Sequence, residues 1–265
     1  MLNFASNELI ELSEINYNFD YASTPTTRKT DAVKILAEKI SLPMTRAEVE
    51  RQRLFTHLDK SLAQFSSTLV TGRTGTGKTT LAADFAKQKN YAVAWYNAET
   101  TDSDWKVFLG YLTESLRRCQ TESKSLWQYG TSFAETENLS VTESLAARFA
   151  LIEAEKPLLI VLDDLHSVFD ADWFGEFFNA LLSLPTPNVR LLMLARTAPP
   201  FPLWRLRSKH VLDVVDEKLL AFTVPETIEL FQKYQLSENA ARSAHKRSYG
   251  RIAKLREIAE KKVVR

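Results

Sequence analysis

The glycine-rich segment between Thr68 and Thr80 carries the residues with the clearest chemistry in the chain. An apolar run is followed by the pattern G-x-x-x-x-G-K-T, which starts at Gly72 and ends at Thr79, and then by a helical run from Leu81. Glycine allows the backbone to wrap closely around phosphate, so that N–H groups and the positive end of the next helix face the anion. The segment therefore predicts a nucleotide-binding loop between a strand and a helix.

The pattern also assigns roles within this loop. Lys78 is expected to reach the β- and γ-phosphates of ATP or ADP, and the Thr79 hydroxyl is expected to bind Mg²⁺. A glycine-rich turn with an accidental Lys-Thr is the alternative, which the flanking strand and helix disfavour. The remaining loop residues expected to contact the nucleotide are Gly72, Arg73, Thr74, Gly75, Thr76, Gly77 and Thr80.

A pair of acids, Asp163 and Asp164, follows the apolar run 158–162. Parallel sheets bind ligands at the carboxyl ends of their strands. Asp163 is expected to bind Mg²⁺, directly or through a water molecule, because Mg²⁺ prefers oxygen ligands. Asp164 is expected to orient or activate an attacking water. Arg196, at the tip of the next apolar run, is either a sensor of the γ-phosphate or a surface charge, and spacing alone leaves both open.

Hydrophobic spacing predicts the elements that position these residues. Strands separated by helices indicate an α/β fold with a doubly wound parallel sheet and right-handed crossovers. The predicted strands are 68–71, 91–96, 158–162, 189–194 and 210–215. The predicted helices begin near 31, 48, 79, 104, 141, 173, 224, 238 and 251, and 121–139 is predicted as a loop. The expected caps are Asp102 or Ser103, Ser140 with Glu143, Asp172, Thr223 with Glu226, and Ser237.

The same pattern divides the chain into three parts. Residues 1–40 are expected to form a flexible N-terminal tail, 41–215 a P-loop nucleotide-binding domain, and 216–265 a small all-helical subdomain. The basic C-terminal helices around Tyr249 could form a helix-turn-helix that enters a DNA groove. A helical lid whose charges face water is favoured over it, because basic helices are common.

Composition narrows the function classes. The 45% apolar and 25% charged fractions are typical of an ordinary globular protein, and a net charge of +1 gives no general argument for nucleic acid or membrane binding. The single cysteine, Cys119, rules out an internal disulfide. No apolar run approaches the length of a membrane span, and Glu8 and Glu11 lie where a signal peptide would be basic. A cytoplasmic location is therefore expected.

Several segments together resemble one family, the nucleotide-binding domain of MalT-like regulators of the LuxR family. These regulators belong to the signal-transduction ATPases with numerous domains (STAND). The stretch that reads Arg-Thr-Ala-Pro-Pro-Phe-Pro-Leu is more particular to them than the generic P-loop signatures. The matching segments are 49–54, 72–79, 95–109, 161–166, 194–203, 205–207 and 220–223.

The resemblance implies an ATP/ADP-operated switch with slow Mg-dependent hydrolysis, acting in transcription regulation through a protein partner or self-association. It also implies that Arg196 is the sensor arginine and that Val49 and Arg51 lie near the base. From helical pattern alone, Arg51 is expected to be a solvated charge. The family usually has Gly-Trp-Pro near the adenine, where this chain reads Gly-Arg-Ile from Gly250 to Ile252.

Other functions stay open from the sequence. A working AAA+-like ATPase that helps a DNA transaction would need an arginine finger from a neighbour. A small-molecule kinase would need an acceptor pocket, and a DNA-binding module would use the basic C-terminus. The resemblance stops in the helical subdomain, so either a reduced standalone switch or a fragment of a larger regulator is expected.

Overall fold

The computed structural model describes residues 35–65, 67–89, 91–119, 139–152, 156–184 and 188–263, all within the compact unit Ala32–Arg265. Three predicted parts lie at least partly outside these ranges. They are the start of the helix predicted at 31, most of the predicted tail, and residues 121–138 of the predicted loop 121–139. Of the tail's described part, Ala37–Ile40 forms one 3₁₀ turn.

The described residues form one sheet of five parallel strands in the order β2-β3-β4-β1-β5, which confirms the predicted doubly wound α/β sheet. Since β4 separates β1 from β3, the loop after β1 and the acids after β3 flank the end of β4. The strands are β1 (Ser67–Thr71), β2 (Ala92–Asn97), β3 (Leu158–Asp163), β4 (Val189–Ala195) and β5 (Asp213–Val215).

One strand boundary is wrong in the prediction. His210 was expected to open the last strand, but it has a φ of 55°, which an extended strand excludes. Its N–H donates to the Arg207 carbonyl at 3.0 Å and so closes the preceding helix. The strand begins only at Asp213.

Helices cover both faces of the sheet and continue as a helical region after β5. They are α1 (Gln52–Phe65), α2 (Lys78–Gln88), α3 (Trp105–Arg118), α4 (Val141–Ala150), α5 (Phe174–Ser183), α6 (Leu203–Ser208), α7 (Glu217–Leu220), α8 (Val224–Lys233), α9 (Glu238–Ser248) and α10 (Ile252–Val263). Among the described helices, none has the length and apolar character needed to cross a membrane.

The predicted capping boxes at Ser140 and Thr223 and the predicted cap at Ser237 are confirmed. Two other predicted caps are wrong. Asp104, not Asp102 or Ser103, caps α3 by accepting backbone N–H bonds in its first turn. Asp172 does not cap α5, since Trp173 holds the N-cap position without a side-chain bond.

The core has a layer on each face of the sheet and a third cluster in the helical region. Alternate residues of a strand point to opposite faces, so Leu69 packs with α3 and α5 while Val70 packs with α1 and α2. The third cluster joins α8, α9 and α10, and Val49, which precedes α1, is buried in it. This contact ties the helical region to the start of the sheet domain.

A buried ion pair fixes the 3₁₀ turn against the edge strand β2. Lys39 and Asp102 are 6% and 1% exposed, and Lys39 Nζ lies 2.7 Å from Asp102 Oδ1. The Tyr96 hydroxyl donates to Asp102 Oδ2 at 3.0 Å, which satisfies the second carboxylate oxygen. Asp102 is therefore part of a buried network and does not cap α3, although its carboxylate accepts the Glu99 N–H in the short 3₁₀ turn Thr100–Asp102.

Gly250 joins α9 to α10 in a conformation that favours glycine, with a φ of 75°, and a Cβ there would lie 2.4 Å from the Phe222 carbonyl oxygen. Replacing Gly250 by Ala should therefore lower the free energy of unfolding by about 2–4 kcal/mol. Gly175→Ala is the matched control, because a Cβ there meets nothing closer than 4.0 Å in helix α5. Urea unfolding measures both variants, and equal stabilities would contradict the expectation.

Candidate nucleotide-binding site

The phosphate loop runs from the end of β1 to the start of α2 and turns through two left-handed glycines. Gly75 has a φ of 77° and Gly77 a φ of 84°, a region in which a side chain is strained. The predicted loop between strand and helix therefore has the expected backbone form. Pro and β-branched residues would not fit either position.

The carbonyl oxygens of the loop are held by donors from several elements. Lys78 Nζ donates to the Gly72 carbonyl at 2.6 Å, and the Thr76 hydroxyl donates to the Arg73 carbonyl at 2.9 Å. Burial lowers the pKa of Lys78, although the nearby carboxylates of Asp164 and Asp163 partly oppose this. Holding the carbonyls leaves an incoming anion to meet the N–H groups of the loop.

The helical region supplies two further donors. Arg251 Nη2 donates to the Thr74 carbonyl at 2.7 Å, and the Ala253 N–H donates to the Gly75 carbonyl at 3.2 Å. A Cβ on Gly75 would lie 2.7 Å from the Ala253 Cβ, so the first turn of α10 rests directly on the loop. Arg251 and Ala253 are thus parts of the site. The resemblance set Gly250, Arg251 and Ile252 near the adenine, but spacing alone did not predict these bonds to the loop.

Arg73 extends from the loop to α7. Its Nη2 lies 2.7 Å from Glu217 Oε1, and its backbone N–H donates to Glu217 Oε2 at 3.1 Å. The Arg73 side chain is largely exposed, so the pair gains little from burial. No pattern in the sequence links these residues, which lie 144 positions apart.

Arg51 lies beneath the loop and is only 4% exposed, so the expectation of a solvated charge is wrong. Its guanidinium donates to the Gly77 carbonyl at 3.1 Å and to the Leu220 carbonyl at 2.9 Å. The guanidinium carbon also lies 5.2 Å from the centre of the Phe222 ring. Burial lowers the pKa of Arg51 to about 10, which still keeps it charged at neutral pH. Arg51 joins the loop to the helical region.

Asp163 and Thr79 form the candidate metal site. The Asp163 carboxylate is 3% exposed, accepts a hydrogen bond from the Thr79 hydroxyl and accepts the Asp164 N–H at 2.9 Å. Burial raises the pKa of Asp163 from 3.8 to about 6. A buried carboxylate beside a hydroxyl fits Mg²⁺, which takes oxygen ligands and needs only one or two from protein when phosphates and water supply the rest.

Asp164 and Arg196 lie side by side at the ends of the adjacent strands β3 and β4. Arg196 Nε is 3.9 Å from Asp164 Oδ1, and both side chains are partly exposed. His166 Nδ1 lies 3.6 Å from the same oxygen, and burial lowers the pKa of this imidazole. Asp164 has a φ of 48°, a left-handed conformation that Asp tolerates better than most residues. The structure thus brings these two predicted residues together with Lys78.

Two adjoining pockets meet at the loop. The phosphate pocket, of about 220 Å³, lies between the loop, Asp164 and Arg196. The base pocket, of about 160 Å³, lies between the segment around Val49 on one wall and α10 on the other. Both pockets contain Gly75, Gly77 and Thr80, so one ligand can occupy both. Val49, Arg51, Phe222, Ile252 and Arg256 line the base pocket.

The raised pKa of Asp163 predicts that the free energy of unfolding of the metal-free protein decreases as pH rises. The folded state binds more protons than the unfolded state between about pH 4 and pH 6, so stability falls as pH rises through that window. Asp163→Asn should be more stable than wild type by about 1–3 kcal/mol at pH 7 without Mg²⁺, and the difference should vanish near pH 4. Urea unfolding at both pH values measures it, with exposed Asp170→Asn as control. Equal stability of Asp163→Asn and wild type at pH 7 would refute this.

Comparison with known sequences places the site in a family. The AAA ATPase domain family matches residues 47–194, which include the loop and both acids. The HTH-type transcriptional regulator MalT of Serratia proteamaculans is 31% identical over 206 residues, covering 74% of this chain and 22% of that protein. MalT of Vibrio parahaemolyticus is 30% identical over 161 residues, covering 60% and 17%. The chain thus spans about a fifth of the length of these relatives.

Two solved structures share the fold. A STAND protein with a tetratricopeptide repeat sensor from Pyrococcus horikoshii has a TM-score of 0.56 at 21% identity, covering 82% of this chain and 30% of that one. A Walker-type ATPase of Pyrococcus abyssi has a TM-score of 0.52 at 16% identity, covering 83% and 73%. The expected resemblance to MalT-like P-loop NTPases is confirmed by the sequence matches, and the two solved structures show a shared fold. Since the family match covers more than half of the sequence, the chain belongs to the AAA ATPase domain family.

Proposed function

We propose that this protein is an ATP/ADP-binding switch of the MalT-like STAND type, with slow Mg-dependent hydrolysis and a role in transcription regulation. Membership of the AAA ATPase domain family supports nucleotide binding. The MalT relatives are named as transcriptional regulators, which supports the regulatory role. A protein partner or a second copy would read the state of the switch.

One observation carries the proposal. The helical region forms one wall of the base pocket and also donates hydrogen bonds to the loop. Arg251 and Ala253 bond to loop carbonyls, and Ile252 between them lines the base pocket. Any change in how nucleotide fills this space must therefore act on α10. A ligand that binds one arrangement of the helices better than another shifts the population between them.

The residues at the end of β3 and β4 support slow hydrolysis. Asp164 would orient a water for attack on the γ-phosphate and accept its proton as ADP leaves. Arg196 and Lys78 would stabilise charge on the phosphoryl oxygens, and Thr79 and Asp163 would hold Mg²⁺. Mg²⁺ itself would neutralise charge on the phosphates. Arg196 next to Asp164 favours the interpretation as a γ-phosphate sensor over a free surface charge.

The alternatives receive less support from the geometry. In the proposed helix-turn-helix, the first turn of α10 would enter a DNA groove, but this turn rests on the loop through Ala253. Several basic side chains of this region are also paired within the chain, including Arg242 with Glu238 and Arg256 with Glu48. A brisk AAA+-like ATPase would still require an arginine finger from another subunit.

Lys78→Ala should weaken ATP and ADP binding by about 10- to 100-fold, because it removes charge-assisted contacts to the phosphates. Lys60→Ala is the control, since Lys60 is an exposed residue of α1 that lines neither pocket. Isothermal titration calorimetry measures the affinities. Wild-type affinity in Lys78→Ala would rule out the proposed site.

A separate experiment identifies the bound nucleotide. Denaturing the freshly purified protein would release any ATP or ADP that it retains.

Asp164→Asn should slow ATP hydrolysis by about 10²- to 10⁴-fold while leaving ATP affinity nearly unchanged.

Arg196→Ala should weaken ATP binding more than ADP binding, because only ATP has the phosphate it would sense. Phosphate release and calorimetry measure the two effects, with exposed Asp170→Asn as control. Hydrolysis at the wild-type rate in Asp164→Asn would exclude its catalytic role.

A further inference from the structure

Residues 45–50, here called the pocket strap, form one wall of the base pocket and are fixed to α2. Asp84 Oδ2 accepts the Ala47 N–H at 2.8 Å, and Lys87 Nζ donates to the Thr45 carbonyl at 2.7 Å. The end of the strap leads into Arg51, which is buried beneath the loop. This side of the strap therefore belongs to the sheet domain.

Glu48 connects the same strap to the helical region by three contacts. Its Oε1 lies 2.5 Å from Arg256 Nε of α10, and its carboxylate accepts a hydrogen bond from the Tyr234 hydroxyl. Lys233 Nζ donates to the Glu48 backbone carbonyl. The side chains of Glu48 and Arg256 are 31% and 41% exposed, and the contact is an ion pair whose Nε atom is itself buried.

The ion pair spans the base pocket. Glu48 lines the pocket from the strap, and Arg256 lines it from α10 on the opposite wall. The two walls cannot move apart without breaking this pair. A base held between Val49 and Ile252 would contact both walls, so keeping the walls together would slow its release.

We propose that Glu48 is a positioning residue that latches the base pocket through Arg256 and Tyr234 and so sets how long a nucleotide stays bound. The inference rests on the proposed function, since it concerns exchange of ATP and ADP at that site. Opening of the latch precedes release, and closing follows binding. The partly exposed ion pair between Glu48 and Arg256 should weaken as ionic strength rises.

The dissociation rate of ADP tests the latch directly. ADP carrying a methylanthraniloyl fluorophore on its ribose is bound to the protein and displaced by excess unlabelled ADP in a stopped-flow instrument. Arg256→Gln should release it about threefold faster and Glu48→Ala about tenfold faster, because they remove one and two polar contacts respectively. Arg242→Gln, which removes an ion pair within α9 whose residues line neither pocket, should match the wild type.

A charge-swapped protein, Glu48→Arg with Arg256→Glu, separates the latch from a general loss of structure. It should restore slow release relative to Glu48→Ala, since it regains the ion pair, and the difference between wild type and Glu48→Ala should shrink at high salt. Equal release rates in wild type, Glu48→Ala and Arg256→Gln would overturn the latch. A wild-type protein that binds no labelled ADP would instead overturn the proposed function.

Discussion

Hydrogen bonding of the phosphate-loop carbonyls is the constraint on which the site depends. A loop that presents N–H groups to an anion must turn its carbonyls elsewhere, and buried carbonyls need donors. Here the donors come from different parts of the chain: Arg51 precedes α1, while Arg251 and Ala253 belong to the C-terminal helices. The backbone form that binds phosphate therefore requires the sheet domain and the helical region to be docked together.

Burial of opposite charges gives the site its electrostatic character. Desolvation raises the pKa of Asp163 and lowers that of Lys78, so folding destabilises the charged form of each group. Mg²⁺ and phosphate would supply the missing opposite charges at these two groups. The side chains of nearby Asp164 and Arg196 are more exposed than those of Asp163 and Lys78. In the proposed function, the buried pair would bind Mg²⁺ and phosphate, and the exposed pair would act at the γ-phosphate.

The sheet, the parallel direction of its strands and the loop could be predicted because they depend on local patterns. Apolar runs 158–162 and 189–194 are strands in the structure, and the G-x-x-x-x-G-K-T spacing fixes the turn between β1 and α2. Burial of Arg51 and the roles of Glu217 and Arg251 could not be predicted from spacing. They depend on how the helical region docks, which involves residues more than a hundred positions apart. Asp102 was misassigned for the same reason, since its partner Lys39 lies 63 positions away.

The turn Ala37–Ile40 has a consequence for how copies of this protein meet in solution. β2 is an edge strand, and an unprotected edge offers unpaired N–H and C=O groups to a strand of another molecule. The buried Lys39–Asp102 pair anchors the turn beside this edge, where Tyr96 of β2 joins the same network. At the opposite edge, β5 has only three residues. Sheet-to-sheet aggregation is thereby discouraged at both edges, by the charged anchor beside β2 and by the shortness of β5.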